Sequence, residues 1–329
     1  MISFEETVRV IGEQTTREIP RHSYAAQLSD FENACNWLSS FGVTVNPTRL
    51  GGYRRILADL VAKFSEGKVD ELLKKYGFPA LANALFESAE LIDIHRGLME
   101  SDQNIAQSLQ KFAAGCPLLI DECRTGNNVG RNIGFELDTA AAFVRCGFKM
   151  ELAPPADVWI KTGGIAIAVE CKRPFSYDAL GANIKKAFSQ LRARYSAHAT
   201  PAHVRGIALL SASKMENDGS LMLKADNNDD LAATIRLLSE QFVARTRPFW
   251  NDTKDDRTIG FAVSLRAPSY VEDINLFTVV RHLTWVGLAR TSGDQELFRR
   301  LAKAHMKLDA SLEKDDDTRS GLNREHSLL

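Results

Sequence analysis

The chain changes its pattern near residue 128, from helical periodicity to short strand-like runs that lie between two helices. Phe148–Leu152, Asp157–Ile160 and Ile165–Lys172 have the length and the composition of β-strands. Residues 161–164, between the second and third runs, include two adjacent glycines that suit a tight turn. We therefore expect the second and third runs to pair as a hairpin.

Two helices and a fourth strand frame this hairpin. Asn132–Cys146 has apolar residues at helical spacing and is followed by Gly147, a common helix stop. Ala179–Tyr195 has the same periodicity, and Val204–Ser211 is an apolar run as long as a buried strand. The order helix, strand, strand, strand, helix, strand predicts an α/β protein in which helices flank a mixed sheet.

The residues on either side predict an all-helical region before this core and a mixed extension after it. In the first 125 residues or so, apolar residues recur at three- and four-residue spacing in three stretches, Phe31–Phe41, Ile56–Phe64 and Ala80–Leu98. After the core we expect a polar loop, two helices and two strands, in the order Glu216–Asp230 (loop), Leu231–Ala244 (helix), Thr258–Leu265 (strand), Phe277–Leu288 (strand) and Gln295–Lys307 (helix).

These elements predict three parts of the chain. Residues 1–125 would form a helical domain that binds substrate, mediates oligomerisation or senses a signal. Residues 126–308 would form the main domain, with its core at 128–213 and a C-terminal extension. Residues 309–329, which contain three consecutive aspartates, are expected to be a disordered tail.

Composition excludes several classes of protein. The chain has 329 residues, of which 44% are hydrophobic and 25% are charged, as in ordinary soluble globular proteins. No window approaches the ~18 uninterrupted apolar residues of a membrane span, and the acidic first residues do not resemble a signal peptide. The five cysteines are odd in number and form no CxxC pair, so we expect reduced thiols and a cytoplasmic protein.

The charge is unevenly distributed along the chain. Residues 126–215 carry 12 Lys and Arg against 6 Asp and Glu, a net charge of +6, although the whole chain has a net charge of −1. Such a basic segment between acidic flanks is typical of proteins that bind a polyanion. A solvated, lysine-rich surface is the alternative interpretation.

Carboxylates cluster at the ends of the predicted hairpin strands. Asp157 opens the second strand, while Glu170 and Lys172 lie two apart near the end of the third, so their side chains leave the same face. The hairpin can bring Asp157 close to Glu170 and create an oxygen site of the kind that Mg²⁺ prefers. The backbone carbonyl of Cys171 and the carboxylate of Glu136, on the preceding helix, could add ligands.

In this frame, the residues Glu136, Asp157, Glu170 and Lys172 resemble the core of the PD-(D/E)XK nuclease superfamily, which has the restriction-endonuclease-like fold. The resemblance covers about residues 128–213, and alanine stands where the family's motif has proline before the aspartate. It implies a Mg²⁺-dependent phosphodiesterase, with Mn²⁺ as a substitute. Asp157 and Glu170 would hold the metal, and Lys172 would orient or activate the attacking water.

The helix that follows supplies further candidates. The resemblance to exonuclease-like branches of the superfamily implies a catalytic role for Gln190. No acid occurs between Asp178 and Glu216, so the basic residues of this helix are candidates for contact with phosphates, or else a solvated face. These candidates are Lys185, Lys186, Arg192 and Arg194.

Three functions remain open from the sequence. The first is a nuclease in restriction or anti-phage defence, which could form a homodimer or a higher oligomer; DNA is favoured as its substrate, and RNA stays open. The second is a catalytically silent nuclease fold that binds nucleic acid or acts as a scaffold. In the third, the helical region is a protein-interaction module and the central sheet is only structural. For the site itself, the alternative is a structural salt bridge of Glu170 with Lys172 or Arg173.

Overall fold

A mixed seven-stranded sheet lies between an N-terminal helical region and the helices that follow along the chain. The computed structural model describes residues 24–122, 128–154, 156–198, 200–217, 221–250, 255–273 and 276–305. The predicted α/β class, with helices flanking a mixed sheet, is confirmed.

The helical region contains five helices within the described residues: α1 Tyr24–Ser40, α2 Arg49–Ser65, α3 Val69–Tyr76, α4 Phe78–Leu98 and α5 Ala106–Ala113. The remaining elements are α6 Val129–Arg145, β1 Lys149–Glu151, β2 Val158–Thr162, β3 Ile165–Lys172, α7 Tyr177–Ala197, β4 Val204–Ser211, α8 Ser213–Glu216, β5 Leu223–Ala225, α9 Asn228–Trp250, β6 Thr258–Val271 and β7 Leu276–Gly287. Residues 292–305 are also helical.

The strand order is β1-β2-β3-β4-β6-β5, and β7 pairs with β6. Strands β1, β2 and β3 are antiparallel, whereas β4 is parallel to β3 and β6 is parallel to β4. The predicted hairpin joins β2 to β3 through Gly163 and Gly164, whose φ angles are +56° and +78°. A two-residue turn of this kind needs positive φ at both central positions, which glycine adopts without strain.

One expected loop is wrong in part. The polar stretch Glu216–Asp230 contains β5, and α9 begins within it at Asn228. Strand β5 has only three residues and pairs with Ser269–Val271 at the end of β6. Its formation depends on this distant partner rather than on a local pattern, so periodicity could not predict it. The predicted tail at 309–329 lies outside the described residues.

The two faces of the sheet bury two separate apolar clusters. On one face, Ala168 of β3 belongs to a cluster with residues of α7 and α9. On the other face, Ile167 and Val169 belong to a cluster that continues through α6 into helices α1 to α5. The helical region and the sheet therefore share buried contacts, and the division into domains at residue 125 stays a prediction.

Buried charges also join the helical region to the rest of the protein. Glu87 of α4 pairs with Arg49 of α2 and with Arg131 of α6, and all three side chains are almost fully buried. On α6, Asp138 accepts two hydrogen bonds of 2.8 Å from Arg266 of β6. Paired in this way, ionised groups can remain buried, since each charge has an opposite partner.

Glu90 lies one turn after Glu87 on α4, and its buried carboxyl group should make the stability of the fold depend on pH. Burial and then the charge of Glu87 raise the pKa of Glu90 to about 7. The folded protein therefore holds this proton more tightly than the unfolded chain, whose glutamate pKa is about 4.3, and stability falls as pH rises from about 4.3 to 7.

Glu90→Gln should thus raise the free energy of unfolding at pH 8, by on the order of 3 kcal/mol if Glu90 ionises fully, and change it little at pH 4. Urea denaturation at the two pH values measures this. Glu240→Gln, on an exposed position of α9, is the control. An equal effect of Glu90→Gln at both pH values would contradict the assignment.

Candidate active site

The β2–β3 hairpin brings two carboxylates together at one end of the sheet. Val158 pairs with Val169, so Asp157, just before β2, lies opposite Glu170 of β3. The backbone N–H of Cys171 donates a 2.7 Å hydrogen bond to Asp157 Oδ2, which fixes this carboxylate beside the strand. This is the juxtaposition that the turn and the strand lengths predict.

The ammonium group of Lys172 lies among the oxygens of this cluster. Its Nζ donates to the carbonyl oxygen of Cys171 at 2.8 Å, and it lies 3.3 Å from Glu170 Oε2 and 3.4 Å from Asp157 Oδ2. The Glu170 side chain is fully buried, whereas that of Asp157 is 21% exposed. The cluster thus opens to solvent on the side of Asp157.

Arg194 of α7 is the second cation at this site. Its Nε donates a 3.0 Å hydrogen bond to Glu170 Oε1, so the other oxygen of that carboxylate is also paired. Arg194 therefore binds a carboxylate of the site. The sequence predicted only that Arg194 contacts a phosphate of the substrate. Its helix neighbours Lys185, Lys186 and Arg192 are exposed, and no ion pair joins them to a carboxylate in the described part of the chain.

Glu136, on α6, interacts with the charges of Asp157, Lys172 and Glu170. Burial, followed by the negative charge of Asp157, raises the pKa of Glu136 to about 7, and Lys172 offsets part of this rise. Burial and Asp157 also raise the pKa of Glu170, against the effects of Lys172 and Arg194. Three carboxylates share two cations here, so the site favours an additional positive charge.

Gln190 lies one helical turn before Arg194, on the same side of α7. Its Oε1 is buried and accepts no hydrogen bond from any described residue. A buried acceptor without a donor costs roughly 1–3 kcal/mol, so a cation or a water at this oxygen would relieve an existing penalty.

The residues present fit a hard divalent cation. Asp157, Glu170 and the Cys171 carbonyl offer oxygens only, and Mg²⁺ is commonly bound through one or two carboxylates together with waters. Within the described residues, no group of three or more His, Cys, Asp or Glu side chains is placed to hold a metal. A cation bound by Asp157 and Glu170 would compete with Lys172 for their oxygens.

A neighbouring ion pair was missed by the sequence analysis. Arg173, directly after Lys172, donates two hydrogen bonds of 2.6 and 2.7 Å to Glu122, whose side chain is fully buried. The sequence shows that Glu122 is an acidic residue, but its partner Arg173 lies 51 residues further along the chain. No local pattern predicts that the two residues pair.

The chain matches no protein-family model, no curated protein and no solved structure. Of the helices in the described ranges, none is long and apolar enough to cross a membrane.

Proposed function

We propose that this protein is a metal-dependent phosphodiesterase, and more narrowly a nuclease of the PD-(D/E)XK type that cuts DNA. One observation carries the proposal: Asp157 and Glu170 meet at the end of a β-hairpin, with Lys172 between them. The order of α6, β1, β2, β3, α7 and β4, with an antiparallel β1-β2-β3 unit and a parallel β4, supports the finer assignment.

The proposed roles follow from the contacts. Asp157 and Glu170 would hold Mg²⁺ or Mn²⁺, together with the Cys171 carbonyl, and Glu136 would add negative charge or hold a bound water. The ion, when bound, neutralises charge on the phosphate and lowers the pKa of the attacking water. Lys172 would then place its ammonium beside that water and beside the oxygen on which negative charge develops.

The remaining residues would support this chemistry from α7. Gln190 would use its unpaired Oε1 to accept a hydrogen bond from a water in the site. Arg194 would keep Glu170 ionised and oriented. Lys185, Lys186 and Arg192 would contact the phosphates of the substrate. A role in restriction or anti-phage defence, in the cytoplasm and as a homodimer or higher oligomer, belongs to this proposal through the resemblance alone.

The ion pairs themselves favour one alternative. Lys172 and Arg194 already satisfy both oxygens of Glu170, as they would in a catalytically silent fold that binds nucleic acid. The raised pKa of Glu136 and the unpaired oxygen of Gln190 argue against it, because a purely structural cluster gains nothing from either.

A cleavage panel tests the proposal. Duplex DNA, single-stranded DNA and RNA are each incubated with Mg²⁺, Mn²⁺, Ca²⁺ or a chelator. We expect cleavage of DNA with Mg²⁺ or Mn²⁺, and binding with poor turnover with Ca²⁺, whose looser coordination positions water badly. Full activity in excess chelator would overturn the mechanism, while binding without cleavage under every metal would support the silent alternative.

The exposed cations of α7 give a further prediction. Each phosphate contact releases counterions, so the plot of log affinity against log salt has a slope of about −0.9 per contact on duplex DNA. Lys186→Ala with Arg192→Ala should make this slope shallower by about 1.8 and weaken binding similarly for all sequences.

Fluorescence anisotropy in an Asp157→Asn background, in which cleavage is suppressed, measures the slope. The matched control replaces Lys74 and Lys303, which are exposed on other helices. Equal slopes for the two double variants would mean that Lys186 and Arg192 are solvated surface residues that do not contact phosphates.

A further inference from the structure

A cavity in the helical region has the size of a small-molecule site. It has a volume of about 650 Å³, within the range of roughly 300–1,000 Å³ that is typical of ligand pockets. It lies between the α1–α2 connection, α2 and residues 113–118. None of its lining residues belongs to the candidate active site. We call it the α2 pocket.

The free polar groups of the α2 pocket are cationic or neutral. Arg55 is exposed, and no ion pair joins it to a carboxylate of the described residues. Its Nη2 lies 4.0 Å from the position that a Cβ on Gly52 would take, so the guanidinium lies along α2 at the pocket wall. Asn46, on the α1–α2 connection, also lines the pocket, and its side chain is exposed and unpaired within the described residues.

The other polar groups in the wall are already used by the fold. Arg49 is buried, and it pairs with Glu87 and donates to the carbonyl of Phe112. The hydroxyl of Tyr53 donates to the carbonyl of Pro117. No Asp or Glu lines the pocket among the described residues, so nothing in its wall neutralises Arg55.

The rest of the wall is apolar. Ile56 of α2, Ala80 of α4 and Leu118 supply aliphatic surface beside the free guanidinium. Such a pocket suits a ligand with an uncharged body and a negatively charged end. A guanidinium matches the oxygens of a phosphate or a carboxylate with its parallel N–H groups. We take a phosphate as the ligand group, because a phosphate monoester carries about −1.5 to −2 charges at pH 7 and a carboxylate carries one.

We propose that the α2 pocket binds a small phosphorylated organic molecule of about the size of a mononucleotide, with its phosphate on Arg55. The site is independent of the proposed nuclease activity, because none of its residues is shared with that site. Neighbouring Arg54 provides a matched control, since its guanidinium pairs instead with Glu32 at 3.4 Å and it does not line the pocket.

Isothermal titration calorimetry without divalent metal, on the full chain, tests this proposal with AMP, adenosine and inorganic phosphate as probes. We expect AMP to bind more tightly than the other two, because only AMP fills the apolar part and pairs with Arg55. Arg55→Ala should weaken AMP binding at least tenfold, and Arg54→Ala should leave it unchanged. Asn46→Ala, at an exposed position, should weaken it by a smaller factor.

Several results would overturn the proposal. They are no binding of AMP at millimolar concentration, equal affinity for AMP and adenosine, and equal losses in Arg54→Ala and Arg55→Ala. Inorganic phosphate binding as tightly as AMP would show a bare anion site rather than a pocket for an organic ligand. Binding of an oligonucleotide at Arg55 in place of AMP would assign the residue to a nucleic-acid surface.

Discussion

Asp157→Asn should abolish Mg²⁺-dependent cleavage of DNA, with a loss of about a thousandfold or more in rate, while the fold stays intact. Asparagine keeps an oxygen that can accept the hydrogen bond from the Cys171 amide, so the hairpin loses little. It removes the negative charge, which is the property that a divalent cation needs from this ligand. Glu170→Gln should have the same consequence for activity.

The matched control is Asp178→Asn, which makes the same change at an exposed position in the first turn of α7. Single-turnover cleavage is measured for each variant, together with the rise in melting temperature on addition of Mg²⁺. Asp157→Asn should lose both, and Asp178→Asn should keep both. Wild-type cleavage by Asp157→Asn would refute the site. Loss of cleavage with the full Mg²⁺ response retained would refute only the role of Asp157 as a metal ligand.

Glu87→Ala should cost about 3–5 kcal/mol of the free energy of unfolding. Glu87 lies between Arg49 and Arg131, and the exposed fractions of the three side chains are 1%, 0% and 3%. Removing it leaves two guanidiniums buried without their carboxylate, and the cost of burying an unpaired charge greatly exceeds the net gain from the pair.

Glu296→Ala is the comparison, because Glu296 pairs with Arg299 at 2.9 Å on the surface, where the two side chains are 72% and 43% exposed. An exposed pair of this kind contributes about 0–1 kcal/mol. Urea denaturation of the two variants at neutral pH gives both values. A loss of less than about 1 kcal/mol for Glu87→Ala would mean that waters or other groups compensate the two arginines.

The parts of the site that the sequence predicts are those fixed by short-range geometry. Two glycines set the β2–β3 turn, the turn sets the register, and the register places Asp157 opposite Glu170. The helical period of α7 likewise places Gln190 and Arg194 on one side. Each of these contacts joins residues fewer than about twenty positions apart, and each follows from the period of a single kind of element, a strand or a helix.

The parts that could not be predicted depend on ion pairs between residues that are far apart in the sequence. An exposed arginine and an arginine that holds a buried carboxylate look alike in sequence, so the contact of Arg194 with Glu170 was invisible. The same holds for Arg266 and Asp138, which are 128 residues apart. Where charges pair across the core, the sequence shows the residue types but not the pairs.

The ion pair between Glu122 and Arg173 bears on how this chain could have been assembled from simpler proteins. Glu122 belongs to the first part of the sequence, while Arg173 directly follows Lys172. A gene fragment that encoded only residues 126–308 would leave Arg173 buried without its carboxylate, one residue from the lysine. Exchange of such fragments between genes would therefore yield an ordered site only where the new neighbour also supplied an acid at this place. The first 125 residues thus supply a carboxylate on which the order of the site depends.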